Sequence, residues 1–242
     1  MTRAFYSEKA MGDGFDRNPV LAAQSRQFRS LLPQATDQPL RVLDLGCGAG
    51  TPSRHVMADP ARYQVVGADL SRAALDAYTS STQRPAVQLD AQRLPFADAS
   101  FDVVVSDDVI EHLVDTDEYA KEIRRVLEPG GWLFLSTPNL AAWFNRLSLL
   151  MGIQPAFTEV SFERVFGRPG SDIVGHLRVF TARAIKEFLV HHGFELIDVR
   201  GVAFDAIPRW LGPVDRALAH VPSLAGNSVI AARSAPGARS PL

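Results

Sequence analysis

The stretch that most constrains this chain is Leu40-Arg41-Val42-Leu43-Asp44-Leu45-Gly46-Cys47-Gly48-Ala49-Gly50. A leucine- and valine-rich run closed by alternating glycines reads as a buried parallel strand that enters a tight turn and then a helix. Glycine in such a turn accepts positive φ, and without a Cβ it lets backbone N–H groups approach a ligand. The stretch is therefore a cofactor loop. Its spacing departs from two common ones. The dinucleotide fingerprint needs Gly-x-Gly-x-x-Gly, whereas the glycines here are 46, 48 and 50 and position 51 is Thr. No Gly-Lys-Ser/Thr follows, as a Walker loop requires.

The rest of the chain alternates strand and helix patterns, which predicts one α/β domain over residues 1–233. Residues 1–33 form an N-terminal arm and a helix, Val20 to Leu32, stopped at Pro33. Thr51 to Ala58 continues the glycine turn as a helix. Strands follow at Gln64–Ala68 and Ala86–Leu89, and a fourth, buried through Val103-Val104-Val105, has its carboxyl end at Ser106-Asp107. Arg72–Ser80 and Asp115–Leu127 are helices, and Glu128-Pro129-Gly130-Gly131 turns the chain into a strand over Trp132–Ser136. A capped helix, Thr181–His192, and strands Phe194–Val199 and Asn227–Ala232 complete the pattern, and the tail 234–242 is expected to be disordered.

A net charge of −2 gives no electrostatic footprint for nucleic acid. No window reaches the roughly 18 apolar residues of a membrane span. Cys47 is the sole cysteine, so no intrachain disulfide can form. These features predict a cytoplasmic protein, monomeric or homodimeric, that meets a small molecule and inserts in no membrane.

The glycine stretch closely resembles motif I of the class I S-adenosylmethionine (SAM)-dependent methyltransferases, a hydrophobic strand followed by Asp-x-Gly-x-Gly-x-Gly. Leu127-Glu128-Pro129-Gly130-Gly131 is a second mark of that family. The resemblance implies a Rossmann-like seven-stranded, mostly parallel sheet in the order 3-2-1-4-5-7-6, the last strand antiparallel. It implies SAM as cofactor and S-adenosylhomocysteine as product. Asp44, Gly46, Cys47, Gly48 and Gly50 would hold the methionine end. Asp69, about 20 positions past the glycines and followed by Leu70, matches the ribose carboxylate, which can accept from both vicinal hydroxyls. Asp69 with Ser71 could equally start the next helix. Asp90 and Ala91 would address adenine, and Asp107, at the carboxyl end of the fourth strand, would face the methyl donor.

The tetrad Ser106-Asp107-Asp108-Val109 lacks the Asn/Asp/Ser-Pro-Pro-Tyr/Phe of enzymes that methylate base or glutamine amines. Glu111-His112-Leu113 instead resembles a small-molecule branch that includes quinone-biosynthesis enzymes. His112, placed one turn into a following helix, is the first candidate base, ahead of Asp108 and His176. Residues 137–180 form an insertion read as a helical substrate cap, with a helix over Leu140–Met151 started near Pro138. Asn139, Trp143, His176 and Arg178 are its substrate candidates; Tyr6 of the N-terminal arm is a further one, as a lid over the site, and Arg26 or Arg29 could meet the methionine carboxylate. The cap helix could instead be a dimer face or a membrane-surface contact, and the excursion 201–226 a pocket wall or an oligomer contact.

The predicted function is methyl transfer from SAM to an O, N or C acceptor on a small, secondary-metabolite or lipid-linked substrate. Two alternatives share the fold. One is a non-methylating relative that catalyses, for example, a cyclisation. The other is a metal-assisted O-methyltransferase using Asp107-Asp108, although the sequence marks no metal ligand set.

Overall fold

A computed structural model of the chain describes residues 19–32, 38–50, 57–169, 173–204 and 207–235. Its centre is a seven-stranded sheet in the order β3-β2-β1-β4-β5-β7-β6. The strands are β1 (Leu40–Leu45), β2 (Tyr63–Asp69), β3 (Ala86–Gln88), β4 (Phe101–Asp107), β5 (Leu127–Pro138), β6 (Phe194–Val202) and β7 (Asn227–Ser234). All run parallel except β7, which is antiparallel to both β5 and β6. The expected topology is the observed one.

Six α-helices accompany the sheet among the described residues: α1 (Pro19–Leu31), α2 (Arg72–Thr82), α3 (Thr116–Val126), α4 (Trp143–Leu150), α5 (Ala182–His191) and α6 (Gly212–Leu218). Val103, Val104 and Val105 are sealed between two apolar layers. Val104 lies in the layer built with α3 and α5, and Val103 and Val105 in the one that holds Phe28 of α1. Consecutive valines serve a central strand because its two faces are both buried.

Caps explain several boundaries. The Ser71 hydroxyl accepts from Ala74 N–H, the Asp115 carboxylate from Glu118 N–H and the Thr181 hydroxyl from Ala184 N–H, starting α2, α3 and α5. Two expectations are corrected. Pro138 does not start the cap helix but ends β5, and α4 begins at Trp143. The chain after β4 makes only a single 3₁₀ turn, Ile110–His112, because Asp115 caps the first true helix further on. Strand β5 also starts before its glycines. Leu127 pairs with Phe101 and Trp132 with Val103, so Glu128–Gly131 bulges out. That bulge is held by Arg41, which bonds Asp102 at 2.8 Å and Glu128 at 2.9 Å. The arm 1–18, residues 51–56 of the expected Thr51–Ala58 helix and the tail from 236 lie outside the described residues, and Met57 and Ala58 are not helical.

The strand order reverses between β1 and β4, whose carboxyl ends stand side by side, Leu45 opposite Ser106. In open parallel sheets such a reversal opens a crevice for ligands. The Asp90–Phe96 segment on its rim is clamped to α3 by one ion pair. Arg125 donates to both oxygens of Glu122, at 2.7 and 2.9 Å, and to the Leu94 and Phe96 carbonyls. Glu122 accepts from Leu94 N–H at 2.7 Å.

Two outcomes follow. In β2, a Cβ on Gly67 would stand 2.5 Å from the buried ring of Tyr78, so Gly67→Ala is expected to destabilise the fold by about 2 kcal/mol, read as a lower urea midpoint. Arg125 holds the Glu122 carboxyl below its ordinary value of 4.5. Folding therefore favours the ionised form, and this stability is present above that pH and lost as the pH falls below it. Glu122→Gln should cost about 1 kcal/mol at pH 7, and denaturant titrations should show the gap from wild type closing as the pH drops below 4.5.

Candidate cofactor and acceptor site

The crevice is a cavity of about 540 Å³. Its floor is the glycine turn. Gly46 N–H and Cys47 N–H both donate to Ala68 O, at 2.7 and 3.0 Å, tying the end of β1 to the end of β2. Gly46 has φ +74° and no room for a side chain, since a Cβ would stand 2.2 Å from Val109 Cγ2. Gly48 differs. At φ +51° its missing Cβ would meet nothing within 4 Å among the described residues, so glycine is used there for its backbone conformation rather than for space.

Asp69 completes the turn. One carboxylate oxygen accepts from Gly48 N–H at 3.0 Å and the other from Ser71 N–H at 2.8 Å. The two readings of this residue meet in one geometry, because Asp69 borders the cavity while Ser71 alone caps α2. Of the expected cofactor contacts, Gly46, Asp69, Leu70, Asp90, Ala91 and Asp107 line the cavity. Asp44 and Cys47 are buried beside it. The Cys47 thiol packs on Leu75 and Tyr78, and burial, with Asp44 and Asp69 nearby, pushes its pKa far up, so only its backbone can serve a ligand. Gly50 has φ +85° and closes the turn onto Cys47 O at 2.8 Å.

The opposite wall is the end of β4. Ser136 of β5, fully buried, places its hydroxyl within hydrogen-bond distance of Asp108 (2.9 Å) and Asp107 (3.2 Å) and so gathers both carboxyl groups. Asp108 takes φ +50°, an uncommon state for a residue with a side chain, in the reversal that brings His112 to the cavity. Burial, then the charges of Asp108 and Asp44, holds the Asp107 carboxyl well above the usual carboxylate range. Gln24 of α1 lies beside it, whereas Arg26 and Arg29 sit on the exposed face of the same helix, away from the cavity. Neither arginine is among the described residues that line the cavity.

Behind His112 stands a group the sequence did not single out as a set. Glu111 is fully buried, accepts from Thr137 Oγ1 at 3.1 Å, and through its carbonyl accepts from Leu177 and Arg178 N–H. Its Oε1 is 4.0 Å from His176 Nε2 and has no hydrogen-bond partner. The rings of His112 and His176 are 4.9 Å apart. Glu159 accepts from Gly175 N–H at 2.7 Å and from His176 N–H at 3.1 Å and holds that loop in place. Burial, then Asp108, raises the Glu111 pKa well above its ordinary range.

The remaining substrate candidates separate. Asn139 is fully buried and structural. Its amide donates to Ala225 O and Pro222 O and its oxygen accepts from Ala141 and Ala182 N–H. Trp143 donates to buried Asp215 at 2.7 Å, which ties α4 to α6. Neither lines the cavity. Arg178 is exposed and donates to the carbonyl of Val114 on the rim. Tyr6 lies outside the described residues. The excursion 201–226 packs on α4, with Phe204 stacked on Phe144 at 5.4 Å, so it supports the insertion from behind.

Comparison with known proteins agrees with this geometry. The family description "Methyltransferase domain" matches residues 43–135. A probable SAM-dependent methyltransferase of Mycolicibacterium smegmatis is 34% identical, over 66% of this chain and 54% of its own length. The ubiquinone biosynthesis O-methyltransferase of Agrobacterium fabrum is 32% identical, over 57% and 51%. The chain thus spans about half the length of the curated relatives it matches. The crystal structure of SpnF, a cyclase, superposes with a TM-score of 0.61 at 22% identity, over 93% of this chain and 85% of that one, a likeness of fold alone. Residues 43–135 thus carry a methyltransferase-domain match, and the chain is similar to proteins named as SAM-dependent and ubiquinone biosynthesis methyltransferases.

Proposed function

We propose that the chain transfers the methyl group of SAM to a small-molecule acceptor held at the His112 side of the cavity. The observation that carries this reading is electrostatic. Asp69, Asp90, Asp107 and Asp108 line the cavity, and no lysine or arginine is among its described lining residues. Such a wall repels the diphosphate of a dinucleotide and suits a ligand that carries positive charge. SAM, when bound, supplies a sulfonium methyl with a good leaving group.

The chain's own task is then alignment and exclusion of water. Asp69 would receive the ribose hydroxyls, with Gly48 N–H keeping its carboxylate aimed. Asp90 and Ala91 would meet the base edge, and Asp107 with Gln24 the methionine end. Nδ1 of His112 lies 3.1 Å from Gly175 O, and a carbonyl only accepts, so the proton sits on Nδ1 and the lone pair on Nε2. His112 is therefore oriented to take a proton from an acceptor hydroxyl or amine, with Asp108 next in line. Residues 137–180 would cap the acceptor. The SpnF likeness supports a second reading, a cyclisation in the same pocket, but the relatives above 30% identity carry methyltransferase names.

Calorimetric titration of the full chain tests the proposal. SAM and S-adenosylhomocysteine should bind and NADH should not. Asp69→Ala should weaken both sulfur nucleotides by about 10- to 100-fold, the loss of hydrogen bonds to a charged group. Absence of SAM binding to the wild type would overturn the reading. Turnover without the added mass of a methylene would favour the cyclase.

A further inference from the structure

We propose that Glu111, His112 and His176 form a binding site for one divalent transition-metal ion in the wall of the cavity. Each residue offers one ligand atom, and these atoms lie within 4.8 Å of one another. Binding at about 2.1 Å from each ligand brings such atoms to roughly 3.0–3.5 Å apart, a contraction of up to about 1.8 Å that side-chain rotation provides.

Three observations favour an ion over a plain structural cluster. The first is the orientation of the histidines. His112 Nδ1 faces Gly175 O at 3.1 Å and His176 Nδ1 faces Phe157 O at 2.9 Å. Carbonyls only accept, so each Nδ1 carries the proton and each Nε2 presents a lone pair, the arrangement that backbone carbonyls impose on metal-binding histidines. The second is Glu111. Its side chain is fully buried, and its Oε1 has no hydrogen-bond partner although it lies 4.0 Å from His176 Nε2. A buried carboxylate oxygen left so is costly unless something charged reaches it. The third is rigidity. Thr137 holds the other oxygen of Glu111, and Glu159 and the Glu111 carbonyl pin the His176 loop by its backbone.

Two imidazoles and one carboxylate suit zinc, manganese, iron, cobalt or nickel better than magnesium or calcium, which prefer all-oxygen sets. Three protein ligands also leave coordination positions open, and His112 is the ligand that borders the cavity. If the pocket methylates as proposed above, the ion's use is to draw in an acceptor hydroxyl. The hydroxyl proton passes to water, the oxygen–methyl bond forms as the carbon–sulfur bond breaks, and the electron pair leaves with sulfur. The imidazoles then act as ligands rather than bases, and the acceptor is an alcohol or phenol.

The full chain, stripped with a chelator and dialysed, is titrated with Zn(II), Mn(II), Co(II) and Mg(II), with SAM affinity measured on the same samples. The expected result is one transition ion per chain, Mg(II) binding at least about 10-fold more weakly, and visible Co(II) bands of mixed nitrogen and oxygen ligation. Glu111→Gln and His176→Ala should each weaken the ion by about 100-fold or more and leave SAM affinity unchanged. Asp69→Ala should do the reverse, which separates failure of this site from failure of the SAM reading. Should Glu111→Gln not fold, as loss of SAM binding and of circular dichroism would reveal, His176→Ala and His176→Gln carry the test. No transition ion bound by the wild type, or binding that survives the His176 substitutions, overturns the proposal.

Discussion

The site depends on one short contact, the hydrogen bond from Gly48 N–H to the Asp69 carboxylate. A glycine turn at positive φ has many conformations open to it, and a carboxylate at a strand end has many partners. Joining them fixes both. The neighbouring bonds from Gly46 and Cys47 N–H to Ala68 O extend the β1–β2 ladder past the last paired residues, so the turn is an outgrowth of the sheet rather than a loop laid over it. The buried strands supply rigidity, and the turn turns it into an aimed set of backbone donors and one aimed acid.

A second polar interior does for the insertion what the glycine turn does for the crevice. Asn139 joins the end of β5 to α5 and to the segment before β7, and Asp215 joins α4 to the chain after β6. Buried amides and carboxylates that use nearly all their bonding capacity specify one arrangement, because any other leaves them unsatisfied. The insertion thus sits in one place relative to β5, although its exposed side carries Leu149, Leu150 and Met151. Asn139 had the sequence look of a substrate contact. Its actual work is to hold a scaffold on which His176 can face Glu111.

Periodicity and spacing made the strands, their order and the glycine turn legible, because each depends on residues close in the chain: Val103–Val105 for a two-sided strand, Gly46 to Gly50 for the turn, Thr181 for a helix start. Asp69 and Asp107 were legible for a related reason. The end of a parallel strand is a place, and the sequence marks where strands end. What escaped depends on long-range juxtaposition. His176 meets His112 only because the Glu111 carbonyl takes two N–H groups from the 177–178 segment, a contact that no local pattern encodes. Gln24 reaches Asp107 because α1 packs across β6 and β7, and the arginines nearby in sequence fall on the wrong side of the helix. Single-residue differences in helical phase are the limit of that kind of reading.

The acidity of the crevice bears on turnover as well as on binding. On the proposed reading, the ionised aspartates of the lining would attract a cofactor that carries a positive sulfur more strongly than a product whose sulfur is neutral. Part of the binding energy would then be lost as the methyl leaves, and the product would be released more readily than the cofactor. Asp107, with Asp44 and Asp108 as neighbours, has its carboxyl held well above the usual range, so a cation beside it would favour its ionised form. A cavity built from like charges is costly when empty. That cost is what makes it selective.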